Sequence, residues 1–103
     1  MGYTDFERAD QTAEFRHWLM HLKDPSGKAR ILMRIDRLMH GNPGDHRHLV
    51  EGVCELRIDF GPGYRVYYLR HRQTLLLLLA GGDKSTQSSD IRLALSLARL
   101  PRN

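Results

Sequence analysis

Between Cys54 and Phe60 apolar and polar residues alternate, Cys54-Glu55-Leu56-Arg57-Ile58-Asp59-Phe60, and after Gly61-Pro62-Gly63 alternation resumes in Tyr64-Arg65-Val66-Tyr67-Tyr68-Leu69. Period-two alternation marks strands with one buried face, and a short glycine-rich break between two of them marks a hairpin. Taken as a three-residue loop, Gly61-Pro62-Gly63 pairs Phe60 with Tyr64, Asp59 with Arg65 and Arg57 with Tyr67. One face of the ribbon then holds Cys54, Leu56, Ile58, Phe60, Tyr64, Val66 and Tyr68. The other carries Glu55, Arg57, Asp59, Arg65, Tyr67 and Leu69. Beyond a second turn near His71-Arg72, the unbroken apolar run Leu75-Leu76-Leu77-Leu78-Leu79 predicts a central strand buried on both sides. Such burial calls for cover on the polar face too, which predicts a groove there.

Elsewhere the period lengthens to that of a helix. Phe15, Trp18, Leu19 and Leu22 predict a helix over residues 10–22, ended by Lys23-Asp24-Pro25-Ser26-Gly27. Ile31, Leu32, Ile35, Leu38 and Met39 predict a second over residues 26–40. Its other side carries Arg30, Arg34 and Arg37, a row typical of a solvated face, and Gly41-Asn42-Pro43-Gly44-Asp45 breaks it. Ser85 to Asp90 offers N-caps for a last helix striped by Ile91, Ala94, Leu95 and Ala98 and ended before Pro101. Tyr3 to Arg8 alternates only loosely and predicts at most a short first strand. The order β-α-α-β-β-β-α defines an α+β fold, an antiparallel sheet with the two N-terminal helices packed on one face. With 103 residues, no repeat and no linker composition, residues 1–103 are expected to form one domain.

Charge narrows the class of partner. The formal net charge is +4, and 13 of the 16 basic residues are arginine, leaving only Lys23, Lys28 and Lys84. Arginine's planar fork of donors suits phosphate oxygens, so the bias favours a polyanionic partner, and Arg57 with Arg65 on one sheet face could grip a phosphate backbone. Cys54 is the only cysteine, which rules out an internal disulfide and fits a reducing compartment. The first eight residues are too polar for a signal peptide, and Leu75–Ala80 is too short to span a bilayer, so a cytoplasmic location is expected. Six histidines, including His40, His46 and His48, lack the spacing or cysteine partners of a zinc motif. His17 and His21 fall one helical turn apart on an exposed face. Neither a metal nor another cofactor is expected.

Several segments together resemble the RelE/ParE superfamily of small bacterial toxins, and more closely its HigB-like, addiction-module killer branch. They are Phe15-Arg16-His17-Trp18-Leu19, Arg34-Ile35-Asp36-Arg37-Leu38 with Gly41-Asn42-Pro43-Gly44-Asp45, Gly52-Val53-Cys54-Glu55-Leu56-Arg57, Gly61-Pro62-Gly63-Tyr64-Arg65-Val66-Tyr67-Tyr68, and Gly81-Gly82-Asp83-Lys84-Ser85-Thr86-Gln87 with Asp90-Ile91. The resemblance implies a RelE-like toxin of a type II toxin–antitoxin pair that cuts messenger RNA on the ribosome without a metal. It also implies a cognate antitoxin, commonly a helix-turn-helix protein. Arg65 matches the arginine of the Gly-Tyr-Arg strand, and Lys84 falls where basic catalytic residues follow the last strand. One departure is that Ser85 to Asn103 contains no Tyr, His, Phe or Trp, where ribosome-dependent relatives often carry an acid/base or stacking group. The fold also serves gyrase-poisoning ParE-like toxins, and a non-catalytic RNA- or protein-binding module is a further alternative.

RNA cleavage by a 2′-hydroxyl needs stabilisation of negative charge on the phosphate and proton transfer. Arg57 and Arg65 suit the first task, being permanent multi-donor cations, and for that reason make poor bases. Lys84 suits the second, because neighbouring arginines and partial burial would both make its amine release a proton more readily. Tyr67 could stack on a base, Gln87 could bond a base edge or sugar, and Arg70 would join them in binding RNA. The same residues have structural readings: an Asp59–Arg65 ion pair, cross-strand packing of Tyr67, a helix-start role for Gln87.

Overall fold

A computed structural model describes residues 5–101. Its elements are β1 (Arg8–Gln11), α1 (Ala13–Met20), α2 (Pro25–Met39), β2 (His46–His48), β3 (Cys54–Ile58), β4 (Tyr64–His71), β5 (Leu75–Asp83), a 3-10 turn (Lys84–Thr86) and α3 (Gln87–Ala98). The helices start where capping chemistry allows. Thr12 accepts from Phe15 N at 3.0 Å and donates to Leu79 O at 2.6 Å, fastening α1 to the sheet. Asp24 accepts from Gly27 N ahead of α2, with Pro25 in the first turn. The Tyr64 hydroxyl donates to the same Asp24 carboxylate at 2.6 Å, and this bond pushes the phenol up to about 12. Asp83 caps the 3-10 turn, accepting from Ser85 N at 2.8 Å.

The five strands lie in the order β1-β5-β4-β3-β2. The sheet is mixed, because β1 runs parallel to β5 with Arg8 beside Leu75 and Gln11 beside Leu78. That departs from the all-antiparallel expectation and places the first strand later than Tyr3–Arg8; Tyr3 and Thr4 lie outside the described residues. All four β1 residues are exposed, so backbone pairing alone recruits the strand and no buried side chain marks it in the sequence. For the same reason β2, the other edge strand, leaves no period in the sequence from His46 to His48.

The β3–β4 hairpin differs in register. Ile58, not Phe60, faces Tyr64, and Arg57 faces Arg65, so the loop is five residues long. Gly61 (φ 55°) and Gly63 (φ 81°) adopt conformations closed to most side chains, and Gly63 N donates to Phe60 O at 3.0 Å. Phe60 therefore leaves the ladder and lies under the Arg30 guanidinium, 4.4 Å from the ring centre. A slip of two residues preserves the side-chain faces, which is why both faces of the ribbon match the sequence reading despite the wrong partners.

Helices cover both sides. Phe15 of α1 and Ile31, Ile35 and Leu38 of α2 pack on Leu56, Ile58, Tyr64, Val66, Leu76 and Leu78. Ala94 and Leu97 of α3 pack on Val53, Tyr67, Leu77, Leu79 and Ala80 on the reverse face. Leu76–Leu79 are thus buried as the apolar run requires, and the cover on the second side is α3. The expected open groove is reduced to one end of that face. Leu32, expected in the core, is half exposed at 49%.

Candidate functional site

The uncovered end lies where β3 and β4 run into their hairpin and β5 runs into the 3-10 turn. Because Arg57 and Arg65 are directly paired residues, their side chains leave the same face, and the turn capped by Asp83 brings Lys84 beside them. The result is an open cleft of about 460 Å³ lined by Asp45, Arg57, Asp59, Gly61, Pro62, Gly63, Arg65 and Lys84. Gly63 sits between Arg65 and Lys84, and its φ of 81°, not lack of space, is what calls for glycine, since a Cβ there would make only ordinary contacts of 3.4 Å to Arg65 Nη1 and 3.6 Å to Lys84 Cβ.

Like charges directly opposite on a sheet repel. Each arginine accordingly has its own acid. Arg57 donates from Nη2 and Nε to Asp45 Oδ1 at 2.8 and 3.2 Å. Arg65 is more enclosed, its side chain 13% exposed; Nη1 donates to Gly63 O and Tyr64 O at 3.1 and 3.3 Å, and Nε lies 3.9 Å from Glu55 Oε2. Asp59, the expected partner of Arg65, is exposed in the loop instead. Lys84 is exposed as well, without the partial burial expected of it.

Glu55 is the residue the sequence reading missed. Its side chain is fully buried, and it accepts from Arg47 Nε (2.8 Å), Tyr67 Oη (3.0 Å) and Gln87 Nε2 (2.8 Å). Burial alone would raise its pKa, but the bonds from Gln87, Arg47 and Tyr67 prevail and hold the carboxyl below the usual carboxylate range. Alternation had placed Glu55 on the polar face. It carried no sign that α3 would seal it.

The other three candidates stand apart from the cleft. Tyr67 is fully buried beneath α3 with its hydroxyl on Glu55, and burial pushes the phenol pKa well up, so it offers no ring to a base. Gln87 spends its amide on the same carboxylate. Arg70 leaves the opposite side of the sheet, its guanidinium 4.0 Å from the Phe6 ring centre. A β-irregularity at Tyr67/Tyr68 does not bring it back.

Arg34 also departs from the picture of a solvated row. Its guanidinium reaches Arg57 O (2.6 Å), Pro43 O (3.0 Å) and Asp45 O (3.0 Å), tying α2 to the loop that presents Asp45. On the side covered by α1 and α2, a second cavity of about 340 Å³ is lined by Phe6, Leu38, His46, His48, Cys54, Tyr68 and neighbours. There His48 Nδ1 stands 3.2 Å from Cys54 Sγ, and burial pushes the thiol up. Among the described residues no group of three or more His, Cys, Asp or Glu is placed to hold a metal ion, and no helix is long and apolar enough to cross a membrane.

A small α+β sheet protein with a cationic cleft at one end of a helix-covered sheet is the class this geometry defines. Residues 17–99 match the family described as phage derived protein Gp49-like (DUF891). A Haemophilus influenzae protein described as "Uncharacterized protein" is 50% identical over 88 residues, covering 85% of this chain and 89% of its own length. The chain belongs to the Gp49-like family, a toxin-like family of the RelE/HigB type. Membership implies a toxin of a toxin–antitoxin pair and hence an antitoxin partner.

Proposed function

We propose that the protein is the toxin of a type II toxin–antitoxin system that cuts messenger RNA in the ribosome, acting in the cytoplasm and held in check by a cognate, helix-turn-helix antitoxin. The observation that carries this reading is the convergence of Arg57, Arg65 and Lys84, from three different elements, on one open cleft. Attack of a 2′-hydroxyl on the adjacent phosphorus builds negative charge on the non-bridging oxygens, where guanidinium donors are worth more in the transition state than in the ground state. Arg65, enclosed and held by two carbonyls, is the preorganised member. Arg57 joins once a phosphate replaces Asp45. Lys84, an exposed amine at the rim, gives a proton to the departing 5′-oxygen as the P–O5′ bond breaks, and the proton of the attacking 2′-hydroxyl passes to solvent water in the open cleft.

Purified protein added to a translating extract should generate new message ends, mapped by primer extension, and Arg65→Ala should abolish them while remaining folded. Intact message with the wild-type protein would refute the nuclease reading. A second reading, a non-catalytic binder of RNA or protein, is favoured by one feature: among the described residues no histidine or tyrosine lines the cleft, which leaves only Lys84 and the carboxylates of Asp45 and Asp59 for proton transfer. Under that reading translation stalls with the message uncut.

A further inference from the structure

We propose that Glu55 is the positioning residue of the cleft, aiming Arg65 at the phosphate from beneath α3. The inference rests on the reading of the cleft as an RNA-phosphate site. A carboxylate removed wholly from water is costly unless charge and hydrogen bonds compensate it. Glu55 is compensated on three sides: Arg47 takes Oε1, while Tyr67 and Gln87 both donate to Oε2. With Oε2 already holding two donors, Arg65 Nε stops at 3.9 Å, buried and without a hydrogen-bond partner. The attraction between Glu55 and Arg65 is therefore one of charge and not of a directional bond.

That arrangement decides which edge of Arg65 is free. Nη1 is engaged with Gly63 O and Tyr64 O, the Nε edge is turned to Glu55, and Nη2 has no hydrogen bond among the described residues. Arg65 lines the cleft, so Nη2 is the donor left for it. The side chain is only 13% exposed, and a guanidinium so enclosed needs a counter-charge at its back. Without one it would swing toward water and lose its aim. Tyr67 and Gln87, read from the sequence as RNA ligands, then serve the site through Glu55 and never touch the RNA.

The test is a double-mutant cycle read by fluorescence anisotropy with a short 2′-O-methyl RNA oligonucleotide, which carries the phosphates but cannot be cut. Glu55→Gln keeps the shape and removes the charge. It should weaken binding about tenfold in the wild-type background, about 1.4 kcal/mol, and less than about twofold in the Arg65→Ala background. In ¹⁵N-labelled protein the same change should move the Arg65 Nε–H resonance, which reports that the two groups interact, while the smaller loss in the Arg65→Ala background is what separates positioning from a purely structural role. Equal losses in both backgrounds, or no loss in either, would overturn the inference. Should Glu55→Gln fail to fold, Glu55→Asp, which keeps the charge but withdraws it by one methylene, is carried through the same cycle with the same criterion. A wild-type protein that binds the oligonucleotide and shows the coupling but leaves ribosomal message intact overturns the nuclease reading and supports the positioning role. Absence of oligonucleotide binding by the wild type overturns both.

Discussion

Replacing Asp45 by asparagine should tighten RNA binding, against the usual expectation that substitutions in a site weaken it. In the free protein the Asp45 carboxylate occupies the fork of Arg57 at 2.8 and 3.2 Å, the place a phosphate would take. Both side chains are well exposed, 39% and 54%, so the pair belongs with surface ion pairs worth about 0.2–1 kcal/mol. A ligand that must displace Asp45 forfeits that much, and removing the carboxylate returns it as an affinity gain of about 1.4- to 5-fold. The loop should survive the change, because its position depends on main-chain atoms. Arg57 N donates to Asp45 O at 2.9 Å and Arg34 Nη2 donates to the same carbonyl at 3.0 Å. Anisotropy titrations over a range of salt concentrations test the point twice. The affinity should rise, while the slope of log K against log salt should stay the same, because the bound complex holds Arg57 on a phosphate in both proteins. An unchanged or lower affinity with a folded variant would refute the assignment of Arg57 to the RNA-binding surface.

Lys84→Arg keeps the charge but not a readily released proton, so oligonucleotide binding should stay within about twofold while the cleavage rate falls about 10²-fold or more; equal rates would remove Lys84 from proton transfer. Gly81→Ala places a Cβ 2.2 Å from Trp18 Cε3, an overpacking that should cost about 1–3 kcal/mol and lower Tm by roughly 4–8 °C for each of them, read by circular dichroism. Acid should weaken the fold through Glu55: its folded pKa lies below the ordinary 4.5, so its contribution is complete above that value and lost as pH falls through the depressed one. Glu55→Gln should flatten that part of a Tm-against-pH curve, and an unaltered curve would refute the assignment. Arg34→Met removes the three carbonyl contacts that tie α2 to the Asp45 loop and should cost about 2 kcal/mol or more in chemical denaturation.

Burial governs which elements can be read from residue order. Strands β3 and β4 and helices α1, α2 and α3 each bury a periodic set of side chains and are visible as a period of 2 or 3.6, while β5, buried on both faces, is visible as an unbroken apolar run. Strands β1 and β2 bury almost none and are held by backbone pairing to β5 and β3, so nothing in their residues announces them. The site divides in the same way. Alternation is enough to put Arg57 and Arg65 on one face, whereas Lys84 is marked in the sequence only by the family resemblance. Glu55, Tyr67 and Gln87 were misread because alternation says which face a residue occupies and not whether a helix distant in sequence lies over it.

Residue order alone determined an α+β sheet protein, the apolar and polar faces of its hairpin, and the sharing of one face by Arg57 and Arg65, because hydrophobic periodicity and strand alternation are local and set by side-chain type. Tertiary packing decided the hairpin register, the parallel edge strand and the closure of most of the polar face. It also decided that one glutamate should become a buried hub. These depend on α3 folding back across β4 and β5 and on Arg34 reaching three carbonyls, contacts between residues far apart in the chain that no local period encodes.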